Sequence, residues 1–350
     1  MVNNTEKILS AFSKMYFYNE LVQDELKFKP AGRTEVELAD LIVNLGETIL
    51  AIQLKARDEN EQTNNMEKES KWLDSKSKKA KKQVKDTIEY ISNGEPLQFK
   101  NGRNQLITIN PEAKIVPLVV FMNRKIEIYP HVLKKHSENS ITINCMSYED
   151  FKTMCEVLVT PIEIIQYLGY RQTFYEDNGS VDCWVNWDEN DVVTLSKPMR
   201  KESLVYQFLY ETYGIKHRKN EDVYLKDFRL FLHNLPEHTD WESENNASFS
   251  VVQFLAHLDR VEIKNFWERL NKVRQYSKCH NGTRIVGSLR NTQQQYVILF
   301  VATDGNEIID LETFSRMYPD LAGTKTWIQV IVYWDSPSVF RIDFNAKITA

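Results

Sequence analysis

Four cysteines in 350 residues, at 145, 155, 183 and 279, are too few and too scattered to make a C-x-x-C metal or redox motif. They read as reduced thiols, the usage of a cytoplasmic protein. No apolar run approaches the roughly 18 to 20 residues that cross a bilayer, and the opening MVNNTEKILSAF lacks the pattern of a signal peptide, so no membrane partner is expected. A Walker phosphate loop, G-x-G-x-x-G and G-x-S-x-G are all missing, which argues against a nucleotide-driven motor or a serine hydrolase. An excess of positive charge is missing too: 44 Lys and Arg face 49 Asp and Glu, for a net charge of −5. Nucleic acid could then be held only by a local basic groove, with help from a partner or from homo-oligomerisation.

What the chain does have is an apolar globular composition, 42% hydrophobic, and a short stretch dense in chemistry. Residues 36 to 57, VELADLIVNLGETILAIQLKAR, read as two apolar strands around a Gly turn. With the turn centred on Leu45-Gly46, paired residues sum to about 91, which sets Leu38 opposite Gln53 and Asp40 opposite Ala51. One face then carries Leu38, Asp40, Ile42, Ile49, Ala51, Gln53 and Lys55, apolar near the turn and polar at the far end. The other face, Ala39, Leu41, Val43, Leu50, Ile52 and Leu54, is nearly pure core. A slip of one residue would send Asp40 to the opposite face from Gln53 and Lys55.

Those residue types suit metal-assisted hydrolysis. Asp40 is a hard oxygen ligand for Mg²⁺ or Mn²⁺, the amide oxygen of Gln53 a neutral one, and the backbone carbonyl of Leu54 a candidate third. Lys55 can stabilise negative charge as it grows on a phosphate. Taken alone, a Q-x-K triplet at the solvated end of an apolar strand is commonplace, and its weight comes from Asp40 and the elements around it.

The arrangement resembles the PD-(D/E)xK nuclease superfamily, nearest its Mrr-like branch, in which Gln replaces the second acid. The resemblance covers about the first 125 to 175 residues. It implies an α/β restriction-endonuclease-like core in the order αβββαβ, and Mg²⁺-dependent cleavage of DNA, commonly within bacterial restriction or phage defence. It also implies an auxiliary Glu from a helix ahead of the strands. Here the run MYFYNELVQDEL offers Glu20 and Glu25, on opposite edges of a stripe through Ile8, Phe12, Met15, Val22 and Leu26. Glu20 is favoured, and either acid is equally readable as a solvated one. The Pro of the superfamily name is absent, since Ala39 precedes Asp40. Glu37 falls on the opposite face of its strand from Asp40 and suits a supporting part better than metal binding.

Downstream, residues 67 to 92 read as one helix with Trp72, Ala80, Val84, Ile88 and Ile91 inward, stopped by Asn93-Gly94. Eight lysines lie between 68 and 85, and of these Lys78, Lys79 and Lys82 are taken as nucleic-acid contacts, although a solvated helix face is the commoner meaning of such a run. Residues 106 to 109 and 114 to 122 are expected to form a hairpin whose second strand is buried on both faces. Ser147 with Asp150, and Thr160 with Pro161 and Glu163, mark two helix starts. Asn178-Gly179 predicts a hairpin over 172 to 195, with six acids and no Lys or Arg from 176 to 191.

Three segments result: a nuclease-like domain over 1–175, a middle segment of acidic hairpin, helices and linker over 176–245, and an α+β domain over 246–350. In the last two, helices are expected at about 199 to 214, 222 to 233 and 249 to 277, strands at 294 to 303 and 326 to 334, and a linker at 236 to 248. His233 and His238 have a spacing that suits a metal but lack companions, and the tryptophans of this half suit a core. Missing motor motifs would make any recognition or translocation the work of a separate subunit. The competing readings are a weak or inactive nuclease fold serving as a nucleic-acid-binding or assembly scaffold, motivated by the neutral Gln53, and an RNA nuclease.

Overall fold

A computed structural model describes residues 4–181 apart from 25, 30–33, 93–96, 127–128, 136–140 and 159, and then 186–187, 193–194, 204–215, 223–234, 247–277, 282–291, 296–303, 326–336 and 339–348. It is a mixed α/β protein that divides into two compact units, residues 1–221 and 222–350. Among the described residues, no helix is long and apolar enough to cross a membrane.

The first unit opens with α1 (Asn4–Phe17), β1 (Val22–Gln23), β2 (Lys27–Phe28), β3 (Val36–Glu37), β4 (Leu41–Asn44) and β5 (Thr48–Ala56). It continues through α2 (Met66–Ser92), β6 (Gln98–Lys100), β7 (Leu106–Thr108), β8 (Lys114–Met122), β9 (Val132–Lys135) and β10 (Ile141–Ser147). Then follow α3 (Tyr148–Val157), α4 (Pro161–Asn178), the short pair β11 (Asn186–Trp187) and β12 (Val193–Thr194), and α5 (Leu204–Tyr213). The central sheet has the order β1-β4-β5-β8-β10-β9. β5, β8 and β10 run parallel, while β1, β4 and β9 are antiparallel to their neighbours.

The β4–β5 hairpin turns at Gly46-Glu47, with Gly46 at φ 83° and Leu45 N donating to Thr48 O. Leu41 therefore pairs with Ile52 and Ile42 with Ala51, a sum of 93 rather than the expected 91. Because the shift is two residues and not one, every side chain keeps its expected face. α2 forms because Asn65 caps its first turn, accepting from the amides of Glu67 and Lys68, and because Trp72, Ala80, Val84 and Ile91 recur on one buried face. Trp72, Ala80 and Val84 pack with Val119, Phe121, Ile143 and Cys145 of the parallel strands, and Ile91 joins the cluster of Ile42 and Ile49. β8 tolerates Pro117 because β10 begins to pair only at Leu118.

Several expectations need correction. The first helix ends at Phe17, where Tyr18 takes φ 66°, so Glu20 lies in a turn and not on a helix; Glu25 lies outside the described residues. The buried stripe of α1 runs through Leu9, Ser13 and Tyr16, leaving Ile8 and Met15 exposed. β7 pairs with β6 rather than with β8, whose partners are β5 and β10. Asn178-Gly179 closes α4, with Gly179 at φ 71° accepting the left-handed end of the helix, so Phe174 and Tyr175 are helical. The dipeptide serves both a hairpin turn and a helix end, and the strand pair in this region lies further on, at β11 and β12. The helix starts at Ser147 and Thr160 are as expected: Ser147 Oγ accepts from Asp150 N and Thr160 Oγ1 from Glu163 N.

The second unit holds α6 (Val223–Asn234), α7 (Ala247–Leu255), α8 (Arg260–Ser277), β13 (Arg284–Asn291), β14 (Tyr296–Thr303), β15 (Thr326–Ser336) and β16 (Val339–Ile348). The expected long helix over 249 to 277 is two helices, since Asp259 caps a new start by accepting from the amides of Val261 and Glu262. β13 and β16 were not anticipated. The sheet order is β13-β14-β15-β16, with Phe266 of α8 set edge-on to Phe300 at 5.2 Å. Most of the expected linker and His238 lie outside the described residues.

Candidate active site

The carboxyl ends of the strands are where open α/β sheets commonly bind ligands, and Asp40, Gln53 and Lys55 gather at that end of β5. Gln53 and Lys55 lie near the end of β5, opposite Val119 and Phe121 of β8 and so on the face covered by α2. Asp40 sits in the bend immediately before β4, and one further step of the ladder places it opposite Gln53. The bend is held from behind: Leu38 N donates to Leu26 O at 2.8 Å, and Thr87 of α2 donates its hydroxyl to Leu38 O.

Asp40 Oδ2 accepts from Leu54 N at 2.6 Å and lies 3.5 Å from Lys55 Nζ. The same ammonium donates to Gln53 Oε1 at 3.2 Å and to Leu54 O at 2.8 Å. Three oxygens, from a carboxylate, an amide and a backbone carbonyl, thus converge on one positive charge. The cluster is largely buried, with side-chain exposures of 7% for Lys55 and 11% for Asp40. Burial pushes the Lys55 ammonium below the usual lysine range, opposed by Asp40 and reinforced by the positive charges of Lys79 and Lys76 on α2.

That electrostatic reach locates the lysines of α2. Lys76 and Lys79 follow the buried Trp72 at helical spacings of four and seven and lie on the side turned to the site. Lys78, Lys79 and Lys82 are exposed, and Lys76 is half-buried. Lys76 was not among the expected contacts, although its spacing from Trp72 carried the signal.

Behind the site lies a second cluster that sequence reasoning did not find. Arg57 continues the alternation of Gln53 and Lys55, and its Nε lies 2.8 Å from Oε2 of the fully buried Glu69 in the first turn of α2. Glu69 also accepts from Asn123 Nδ2 at 2.7 Å and from Thr63 N at 3.0 Å. Burial would raise its pKa, but Asn123, the Thr63 amide and Arg57 together outweigh burial and hold it below the usual range. The guanidinium also stacks over the Trp72 ring, 5.8 Å from its centroid. The ends of β5 and β8 are thereby fixed to the start of α2.

Glu20 does not join Asp40. Leu21 O accepts from Asn44 N, which sets Glu20 beside the turn end of β4, four residues and roughly 13 Å along the strand from Asp40. Its buried carboxylate faces Arg103, with Nε 2.9 Å from Oε1, and its backbone oxygen accepts from Asn101. Glu37 is exposed in β3, which pairs with β2. Among the described residues, no cluster of three or more His, Cys, Asp and Glu is arranged to hold a metal.

Neither protein-family models, nor curated proteins, nor solved structures match this chain.

Proposed function

We propose that the chain is a metal-dependent phosphodiesterase that cleaves DNA. The observation that carries this reading is the convergence of Asp40 Oδ2, Gln53 Oε1 and Leu54 O on a single cationic point. The donors are hard and oxygen-only, which fits Mg²⁺ or Mn²⁺ and not a softer metal. When bound, such an ion supplies a more acidic water and offsets charge on the scissile phosphate. Asp40 and Gln53 would hold it with the Leu54 carbonyl, and Asp40 is itself fixed by the Leu54 amide. Lys55 would donate to a non-bridging phosphate oxygen as charge develops there. Lys76 and Lys79 would grip the phosphate on either side of the cut, with Lys78 and Lys82 extending the basic track along α2. The chain order α1, β1, β4, β5, α2, β8 is compatible with the αβββαβ arrangement of a restriction-endonuclease-like core once the separate pairs β2–β3 and β6–β7, inserted after β1 and after α2, are set aside.

A role in restriction or phage defence belongs to the same reading and rests on resemblance; a cytoplasmic setting rests on cysteine usage, homo-oligomerisation on the net charge of −5, and a separate recognition or motor subunit on the missing motor motifs. A second reading is favoured by one observation: among the described residues Asp40 is the sole carboxylate in the cluster, so a non-cutting scaffold with weak metal affinity fits the same geometry. Incubating the protein with plasmid, linear duplex, single-stranded DNA and RNA, in Mg²⁺, Mn²⁺ or EDTA, tests both. Metal-dependent cutting of DNA supports the proposal, cutting of RNA alone reassigns the substrate, and no cutting together with no metal binding removes the enzyme.

A further inference from the structure

The position of Lys55 has a consequence beyond charge stabilisation. Its ammonium does not point past the oxygens toward a substrate: it sits on them, 2.8 Å from Leu54 O, 3.2 Å from Gln53 Oε1 and 3.5 Å from Asp40 Oδ2. A divalent ion of the Mg²⁺ class needs its oxygens at about 2.0 to 2.1 Å and cannot share these three with an ammonium at hydrogen-bond distance. Two positive charges on the same donor set, in a cluster with little solvent to screen them, repel.

We propose that Lys55 is a resident counter-cation of the metal-binding oxygens, and that a divalent ion takes them only by displacing its ammonium. The inference rests on the metal reading above and adds an exchange to it. Geometry makes the exchange feasible. Lys55 carries its charge on a flexible four-carbon stem, so rotation about side-chain bonds moves the ammonium several ångströms without moving β5. The arrangement also suits a site that spends time without metal. Without Lys55, Asp40 would be a largely buried carboxylate deprived of its ion-pair partner, an expensive state. Lys55 supplies that neighbour, so the site stays folded before the ion arrives.

The same position costs metal affinity, because bonds to the ammonium break when the ion binds. Removing the charge while keeping the stem should therefore tighten binding, the reverse of what a lysine that merely lies near the metal site and helps shape it would give. Mn²⁺ binding followed by electron paramagnetic resonance of the free ion compares wild type, Lys55→Met, Asp40→Ala and the double variant. Lys55→Met is expected to bind Mn²⁺ about tenfold more tightly than wild type, the scale of one charge-assisted hydrogen bond. Asp40→Ala should abolish the gain. In parallel, lysine acylation of wild type read by mass spectrometry should show Lys55 labelled several-fold faster once Mn²⁺ is added.

Binding by Lys55→Met that equals or falls below wild type, with Asp40 still required and Lys55 labelling unchanged by Mn²⁺, overturns the exchange and leaves the metal site standing. No Mn²⁺ bound by either protein overturns both. Binding confined to Lys55→Met supports the exchange in its strongest form. Should Lys55→Met fail to fold, the labelling of wild type decides alone, with Mn²⁺-induced exposure of Lys55 as the supporting result and unchanged protection as the contrary one.

Discussion

Asp40 and Leu54 are joined by a 2.6 Å hydrogen bond from the Leu54 amide to Oδ2, the same oxygen that faces the Lys55 ammonium. One carboxylate thus both ties the bend before β4 to β5 and balances a largely buried positive charge. Asp40→Ala removes both roles and is expected to destabilise the protein by about 3 kcal/mol, the low end for stranding a buried charge. Asp40→Asn strands the same charge but keeps an acceptor for the Leu54 amide, and should cost roughly 1 kcal/mol less than Asp40→Ala. Urea unfolding separates the two. Equal losses would mean that the hydrogen bond to Leu54 contributes little.

Gln53 is the neutral member of the donor set, 3.2 Å from Lys55 Nζ. Gln53→Glu places a second anionic oxygen there at nearly constant shape. Mn²⁺ affinity, measured by calorimetry, should rise on the order of tenfold through the added charge. An unchanged affinity would place Gln53 outside the metal site.

The lysines of α2 should differ by position. Lys79 and Lys76 act electrostatically on Lys55, so on the proposed reading they would lie close to the phosphate. Replacing either by Ala should weaken duplex binding and lower the slope of log affinity against log salt by about 1. Lys78→Ala and Lys82→Ala should do less to cleavage than Lys79→Ala. Titrations at several salt concentrations check the slopes, and equal effects from all four would show a diffuse basic face.

Glu69 ties β5, β8 and α2 together while fully buried. Removing its partner-rich carboxylate in Glu69→Ala should cost about 3 kcal/mol by leaving Arg57 only the largely exposed Glu61, 3.9 Å away, as a counter-charge. Its pKa is held below the ordinary range, so the folded state binds its proton less readily than the unfolded state does. The stabilisation is then complete above the ordinary glutamate pKa of about 4.3 and is lost as pH falls through the lower folded value. Thermal unfolding between pH 7 and 3 should show a shallower acid limb in Glu69→Gln than in wild type.

Cys145 and Cys155 are both buried, and burial pushes the Cys145 thiol up to about 12. Neither should react with iodoacetamide at pH 8 until denaturant is added, because the thiolate is the reactive form. Mass spectrometry of the labelled native protein reads this directly.

Much of the site was legible because its signal is local. Asp40, Gln53 and Lys55 could be placed on one face by strand alternation, and a turn misjudged by a residue still preserved that face because the pairing sum moved by two. The helix of residues 66–92 announced itself through Trp72, Ala80, Val84 and Ile91. Glu20 was misplaced because the helical rhythm of α1 continues in the residue types beyond Phe17, while the backbone breaks at Tyr18 through a positive φ that composition does not reveal. The Arg57–Glu69–Asn123 cluster joins residues up to 66 positions apart, and no periodicity brings them together. Asn178-Gly179 failed for a different reason: the left-handed residue it supplies ends a helix as readily as it makes a hairpin.

The most direct measurement compares wild type with Asp40→Asn on end-labelled duplex DNA, each in Mg²⁺ and in EDTA. Cutting by wild type that needs Mg²⁺ and falls at least about 100-fold in Asp40→Asn is the expected result, since removing one essential charged group at a site of this kind costs a few kcal/mol of barrier. Cutting that persists undiminished in Asp40→Asn or in EDTA would contradict the account, because the three oxygens gathered around Lys55 would then have no part in the chemistry.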